Sequence, residues 1–142
     1  MTHEVRVEAS PHEVWEVLVD LDSYEKWNPF FVEAAGQLKV GETIHLTMAP
    51  VGKDPQSMSP KVLVIAPDKE LVWRGRLGVP GLFDGRHTFT IQRIDEKTVL
   101  FRQYEHFSGL LVPFVGLAPY RKGWERMDRA LEQRVEGRHA EP

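Results

Sequence analysis

Alternation between apolar and polar residues, which runs through the middle of this chain, most constrains the folds that it can adopt. Ile44, Leu46 and Met48 alternate with polar neighbours, and the same period of two returns further on. The later segments with this pattern are residues 71–77, 83–91 and 99–107. A period of two puts successive side chains on opposite faces of a β-strand. The pattern therefore predicts strands with one face toward a core and one toward solvent, as in an antiparallel sheet.

The segment before these strands predicts one more strand and then a helix. Residues 5–9 alternate in the same way, and Ser10-Pro11-His12-Glu13 follows at once. This tetrapeptide combines an N-cap hydroxyl, a proline at the first helical position and a glutamate that can bond back to the cap. We expect a helix over residues 11–19 and a further helical turn over residues 23–27. Asn28-Pro29 should end that turn, because the residue before a proline avoids helical geometry.

The end of the chain predicts a long amphipathic helix. Apolar residues recur there at spacings of three and four, which is the period of one helix face; they are Tyr120, Trp124, Met127, Leu131 and Val135. Charged residues between them should form a solvated face. The polar segment 51–59 is expected to be a loop. The apolar segment 109–120 is expected to be a buried entry to the helix, with a membrane-touching lid as the alternative.

Composition and charge argue against several classes of function. At 142 residues the chain fits a single domain, residues 1–142. A formal net charge of -3 gives no basic surface for nucleic acid. The chain has no cysteine, and its six histidines lack metal-ligand spacing. Its first residues do not have the pattern of a signal peptide, and no apolar run is long enough to predict stable membrane insertion. We therefore expect a cytoplasmic protein, monomeric or homodimeric, without a metal or other cofactor.

Three parts of the sequence carry a resemblance to a known superfamily. They are the opening VEASPHEVWEVLVDLDSYEKWNP, the pair GRHTFTIQRI and VLFRQYEHFSGLLVP, and the closing amphipathic helix. Together they resemble the START-like superfamily, also called SRPBCC or helix-grip, and within it the polyketide cyclase/dehydrase and lipid-transport type. The resemblance implies an α+β fold. In that fold a curved seven-stranded antiparallel sheet wraps around a long C-terminal helix, with two short helices after the first strand.

The same resemblance implies an internal cavity between the sheet and the last helix. Such a cavity would bind a small hydrophobic molecule: a lipid, a polyketide-like compound or an aromatic one. The inward face is rich in aromatic residues, whereas Gly75, Gly85 and Gly123 remove bulk from the same region. The alternative is a solid core in which side chains fill the space. The residues expected to line the cavity are Trp27, Phe30, Trp73, His87, Phe89, Glu105, Phe107, Tyr120 and Trp124.

The register of the later strands brings one polar pair to the inward face. If residues 95–97 form the hairpin loop, His87 faces Glu105 and Phe89 faces Gln103, and Trp73 lies beside His87. A buried carboxylate needs a partner, which a protonated imidazole can provide. Three interpretations follow: the pair anchors a ligand hydroxyl or carbonyl, acts as a general acid/base, or is a polar bridge that serves only the fold.

Three functions are therefore consistent with the sequence. The first is non-catalytic binding of a small hydrophobic ligand. The second is a cyclase or dehydratase for which His87 and Glu105 are the only catalytic candidates. The third is a protein-binding accessory domain that resembles chaperone activators and works through its outer sheet face. A START-like fold by itself does not choose among them, because one fold serves many activities.

Overall fold

The computed structural model describes residues 1–76, 84–109 and 116–140. Its strands are β1 Thr2–Val7, β2 Phe31–Ala35, β3 His45–Met48, β4 Gln56–Met58, β5 Lys61–Ala66, β6 Glu70–Arg76, β7 Asp84–Arg93 and β8 Val99–Ser108. Its helices are α1 Pro11–Val19, α2 Tyr24–Trp27 and α3 Ala118–Ala140, and a 3-10 turn, Leu21–Ser23, leads into α2. The predicted turn between residues 77 and 83 lies outside the described residues, as do residues 110–115 of the apolar segment 109–120.

The strands form two antiparallel sheets. One has five strands in the order β1-β8-β7-β6-β5, and the other has three in the order β2-β3-β4. A bridge between Thr43 and Lys61 joins them. The structure thus confirms the α+β helix-grip class but corrects the predicted single sheet of seven strands, since the described residues contain eight strands in two sheets. The added strand is β4, which lies in the segment predicted to be a loop and pairs with β3 through backbone atoms despite its polar sequence.

Local signals set the two short helices. Ser10 Oγ accepts a hydrogen bond from the Glu13 amide, and Glu13 Oε1 accepts one from the Ser10 amide, so the predicted capping box is present. At the other end of this region Asn28 stops α2. Its Oδ1 accepts hydrogen bonds from the amides of Phe30 and Phe31, at 3.0 and 2.9 Å. This turn directs both phenylalanine rings into the core, where each is about 1% exposed.

The predicted register of the central hairpins is confirmed. In β7 and β8, Ile91 pairs with Phe101 and His87 pairs with Glu105, and Trp73 of β6 pairs with His87. These residues share the inward face because side chains alternate along each strand. The inward face of the five-stranded sheet therefore carries one continuous row of Trp73, His87 and Glu105.

Helix α3 closes the core. Its apolar stripe is buried as predicted, with Trp124, Met127, Leu131 and Val135 at most 2% exposed. Gly123 sits beside this stripe, and a Cβ there would collide with the ring of Phe30. The helix therefore approaches the Phe30 ring more closely than any residue with a side chain would allow.

Candidate ligand-binding cavity

A small cavity lies between the five-stranded sheet, the shorter sheet and the first turns of α3. Its volume is about 50 Å³, counted as the space in which the centre of a water molecule can lie. Its walls are mainly apolar and come from every layer of the fold. The lining residues are Met1, Phe30, Phe31, Met48, Met58, Trp73, Gly75, Gly85, His87, Glu105, Phe107, Leu117, Tyr120 and Trp124.

Seven of the nine residues predicted to line the cavity do so: Phe30, Trp73, His87, Glu105, Phe107, Tyr120 and Trp124. Each was predicted from a pattern visible in the sequence: strand alternation, helical spacing or, for Phe30, the Asn28-Pro29 break. Their contact with a ligand stays a prediction. Their position around one cavity is a feature of the structure.

Trp27 and Phe89 do not line the cavity, which corrects the prediction for both. Trp27 is half-buried and borders a polar surface groove between α1 and the last turns of α3. It lies on this side because the chain turns inward only after it, at Asn28. Phe89 is fully buried behind the cavity wall, stacked on His87 with ring centroids 4.3 Å apart.

Phe31, Met48 and Met58 also line the cavity, although they are not among the nine residues predicted to do so. Met48 carried a usable signal, since its alternation placed it on the inward face of β3. Phe31 follows the Asn28 turn and packs its ring against Trp73. Met58 gave no signal, because it belongs to a polar segment and reaches the cavity only through the backbone pairing of β4.

Two glycines of the sheet leave space for side chains that line the cavity. A Cβ at Gly75 would collide with the terminal methyl group of Met58, and a Cβ at Gly85 would lie 2.5 Å from Glu105 Oε1. Both positions therefore give space to a neighbouring side chain, which is the close approach that the pattern of glycines suggested. The Glu105 carboxylate can lie flat against β7 only because Gly85 has no side chain.

His87 and Glu105 form the polar part of the cavity wall. Nδ1 of His87 lies 2.7 Å from Oε2 of Glu105, and the two side chains are 5% and 15% exposed. The His87 ring is held between Phe89 and Trp124, whose centroids lie 4.3 and 4.8 Å from its own. The predicted contact is thus present, and it is a close contact between two ionisable groups largely removed from water.

The other ring nitrogen of His87 belongs to a chain of polar contacts that sequence reasoning missed. Nε2 lies 2.9 Å from Oε1 of Gln103, and Nε2 of Gln103 donates to Oδ1 of Asp128 at 2.6 Å. The second oxygen of Asp128 lies 2.5 Å from Nδ1 of His3. Gln103 and Asp128 are fully buried. The chain runs from the cavity wall through the core to β1.

Burial and hydrogen bonding shift the pKa values at the far end of this chain. The pKa of His3 is raised above its ordinary value of 6.5, chiefly by the hydrogen bond to Asp128. Burial raises the pKa of Asp128, although the hydrogen bonds from His3 and Gln103 oppose that effect. Asp128 lies four residues after Trp124 of the apolar stripe, a spacing that places both residues on the same face of α3.

Trp73, one of the lining residues, carries one further polar atom. Nε1 of Trp73 is buried and has no hydrogen-bond partner within the described residues. A buried donor without a partner is costly, by about 1–3 kcal/mol. Trp73 therefore offers a hydrogen bond to any acceptor that reaches its indole nitrogen.

The residues that the structure describes contain neither a candidate metal site nor a helix suited to crossing a membrane. No cluster of three or more His, Asp or Glu side chains there has the arrangement of a metal site. None of the helices in that part of the chain is both long and apolar enough to cross a membrane.

Several solved structures share the fold of this chain. A START superfamily protein from Mycobacterium smegmatis is 19% identical, with a TM-score of 0.76 over 96% of this chain and 97% of that one. XoxI from Bacillus cereus is 16% identical, with a TM-score of 0.70 over 96% and 94%. Norcoclaurine synthase from Thalictrum flavum, solved with dopamine and hydroxybenzaldehyde, is 17% identical, with a TM-score of 0.70 over 96% and 86%. At these identities the likeness establishes the fold alone.

Sequence comparison identifies the family. No curated protein matches the chain. The family model for polyketide cyclase / dehydrase and lipid transport, however, matches residues 1–136, which is nearly the whole sequence. The START-like fold, the inward row of the sheet and the closing helix agree with that match. The chain belongs to the polyketide cyclase / dehydrase and lipid transport family.

Proposed function

We propose that this protein binds a small, mainly hydrophobic molecule in the cavity, with a polar group of the molecule bonded to Glu105. The observation that carries the proposal is an apolar cavity with one ionisable pair, His87 and Glu105, in its wall. Apolar walls with a few placed polar groups are typical of small-molecule sites. The walls provide affinity, and the carboxylate orients the ligand.

The size of the cavity limits the ligand. A volume of about 50 Å³ has room for roughly three or four water molecules, whereas typical ligand pockets measure about 300–1,000 Å³. Binding therefore requires movement of lining side chains. Met48 and Met58 suit this role, because methionine is unbranched and adapts its shape at low cost. A molecule with a single ring needs the smallest movement.

Two observations favour a ligand that carries a hydroxyl group. Oε1 of Glu105 can accept a hydrogen bond from it, and the indole N–H of Trp73 can donate one to an acceptor on the same molecule. The likeness to norcoclaurine synthase gives independent support, since that structure holds two single-ring compounds with hydroxyl groups.

Calorimetric titration with 4-methylphenol tests the proposal. Wild-type protein should bind it, and Met58→Trp should abolish binding by filling the cavity. Val40→Trp is the matched control, because Val40 is 60% exposed and is not one of the lining residues. Equal binding by all three proteins would place the ligand elsewhere, and no binding to wild type would reject the proposal for single-ring phenols.

A second candidate function is general acid/base catalysis on an enolisable carbonyl compound. The observation that favours it is the direct contact of the Glu105 carboxylate with a histidine whose other nitrogen is already bonded to Gln103. Glu105 would take a proton from the carbon beside the carbonyl, and His87 would stabilise the negative charge left on the substrate. Hydrogen–deuterium exchange at that carbon, catalysed by wild type and lost in Glu105→Gln, is the test.

A further inference from the structure

The polar chain that ends in Asp128 determines where protons lie at the cavity. An ionised carboxylate only accepts hydrogen bonds. Oδ1 of Asp128, 2.6 Å from the Gln103 side chain, therefore requires the NH₂ group of Gln103 on its side. The amide oxygen of Gln103 must then face His87, where it can only accept. Nε2 of His87 consequently carries a proton.

That proton has a consequence for the other side of the imidazole ring. With Nε2 protonated, a neutral His87 would present an unprotonated Nδ1 to Glu105. Two acceptors at 2.7 Å would repel, so a second proton must lie between Nδ1 and Oε2. The pair is then either imidazolium with carboxylate or imidazole with carboxylic acid. In both forms its net charge is zero.

We propose that Asp128, acting through Gln103, is a positioning residue that keeps Nε2 of His87 protonated and so holds the cavity wall at zero net charge. The functional part of this inference rests on the ligand-binding role proposed above. Neither Asp128 nor Gln103 lines the cavity, so their effect on a ligand would pass entirely through His87 and Glu105. At the end of the polar chain away from the cavity, His3 forms a hydrogen bond with the second oxygen of Asp128.

The packing of the imidazole ring makes this control effective. Phe89 stacks on one side of the His87 ring and Trp124 lies against another, so the ring cannot turn over freely. A reversed ring would place carbon atoms against both Gln103 and Glu105 and lose both hydrogen bonds. The protonation pattern therefore depends on which end of the Gln103 amide faces His87, and Asp128 fixes that end.

Asp128→Asn tests the proposal with little change in shape. The new amide can donate to the oxygen of Gln103, which lets the Gln103 side chain turn its NH₂ group toward His87. Nε2 of His87 must then accept, so the proton that it carried is released to solvent, and the one remaining proton lies on Nδ1 and bonds to the Glu105 carboxylate. The cavity wall gains one negative charge in the molecules that make this change.

Nitrogen-15 NMR of the histidine rings reads this change directly. In wild type, Nε2 of His87 should show the chemical shift of a protonated nitrogen. In Asp128→Asn a substantial fraction of the protein molecules should show an unprotonated Nε2 and a protonated Nδ1 at His87. Glu4→Gln is the control. It breaks an exposed ion pair with Arg102 on β1 and β8, the strands that carry His3 and Gln103, and should leave the nitrogen shifts of His87 unchanged.

Ligand charge provides a second measurement. Wild type should prefer 4-methylphenol to the cation of 4-methylbenzylamine, and Asp128→Asn should reduce that preference about tenfold or more, because the wall has become negative. Unaltered His87 shifts in Asp128→Asn, with only a lower melting temperature, would overturn the positioning role. If neither probe binds wild type, the proposed function fails, whereas the nitrogen shifts still decide the positioning role.

Discussion

The ring of Phe30 occupies the space that a Cβ atom at Gly123 would fill. This contact joins the Asn28 turn to α3 and forms one corner of the cavity. It also reverses the usual preference of a helix, in which alanine is more favourable than glycine by about 1 kcal/mol.

Gly123→Ala should therefore destabilise the protein despite its helical position. Overpacking costs about 1–3 kcal/mol in a buried site, which exceeds the propensity gain. Gly137→Ala is a matched control in the same helix, since a Cβ there meets nothing within 4 Å, and it should stabilise the protein by about 0.5–1 kcal/mol. Urea unfolding of both variants measures the difference. A stabilised Gly123→Ala protein would show that Phe30 moves aside without cost.

Glu105→Gln should weaken ligand binding more than it disturbs the fold. The glutamine keeps the shape and can still accept a hydrogen bond from Nδ1 of His87, so unfolding should become easier by only about 1–3 kcal/mol. Affinity for 4-methylphenol should fall about tenfold, whereas affinity for p-xylene, which has the same shape without the hydroxyl, should not change.

The outcome of that substitution also separates the three interpretations of the His87–Glu105 pair. Loss of turnover with retained binding would favour an enzyme. Weaker binding with no turnover in either protein would favour a carrier. Unchanged binding with lower stability would leave the pair as a bridge that serves only the fold.

His3 should make the stability of the protein depend on pH. Its pKa is raised in the folded state by Asp128, so the folded protein holds the proton more tightly than the unfolded chain does. This contribution is complete below the ordinary value of 6.5 and is lost as pH rises through the higher folded value. The raised pKa of Asp128 acts in the same direction, beginning at lower pH, near its ordinary value of 3.8.

The free energy of unfolding should thus decline from pH 6 toward pH 9 in wild type and decline less in His3→Gln. Urea titrations at several pH values provide the measurement. His106→Gln, at an exposed position on the outer sheet face, is the control and should follow wild type. A variant and a wild type with parallel profiles would exclude His3 as the source of the pH dependence.

Trp27→Ala should leave ligand binding intact. Trp27 borders the polar groove beside α1 and is separate from the cavity lining. Loss of a half-buried ring should lower stability by about 1–2 kcal/mol. Trp124→Leu, a substitution in the cavity wall itself, should reduce affinity for 4-methylphenol in the same calorimetric titration. Reduced binding in Trp27→Ala would place that ring nearer to the ligand than the structure does.

Much of this site was predictable from residue patterns. The His87–Glu105 contact followed from strand alternation and the length of one hairpin loop, because those two features fix the register of an antiparallel pair. Asp128 was missed because a charged residue beside an apolar helical stripe is usually solvated. Only the folded structure shows that the side chains of His3 and Gln103 form hydrogen bonds with Asp128. Met58 reached the cavity through backbone pairing of a polar strand, for which side-chain pattern carries no signal.

Carbon-13 NMR of the methionine methyl groups tests the proposed binding most directly. The chain has four methionines; Met48 and Met58 line the cavity with Met1, whereas Met127 is buried in the core and outside the lining. Titration with 4-methylphenol should shift the Met48 and Met58 signals saturably and leave that of Met127 nearly fixed. Signals of Met48 and Met58 that stay unchanged at saturating 4-methylphenol would contradict binding in this cavity.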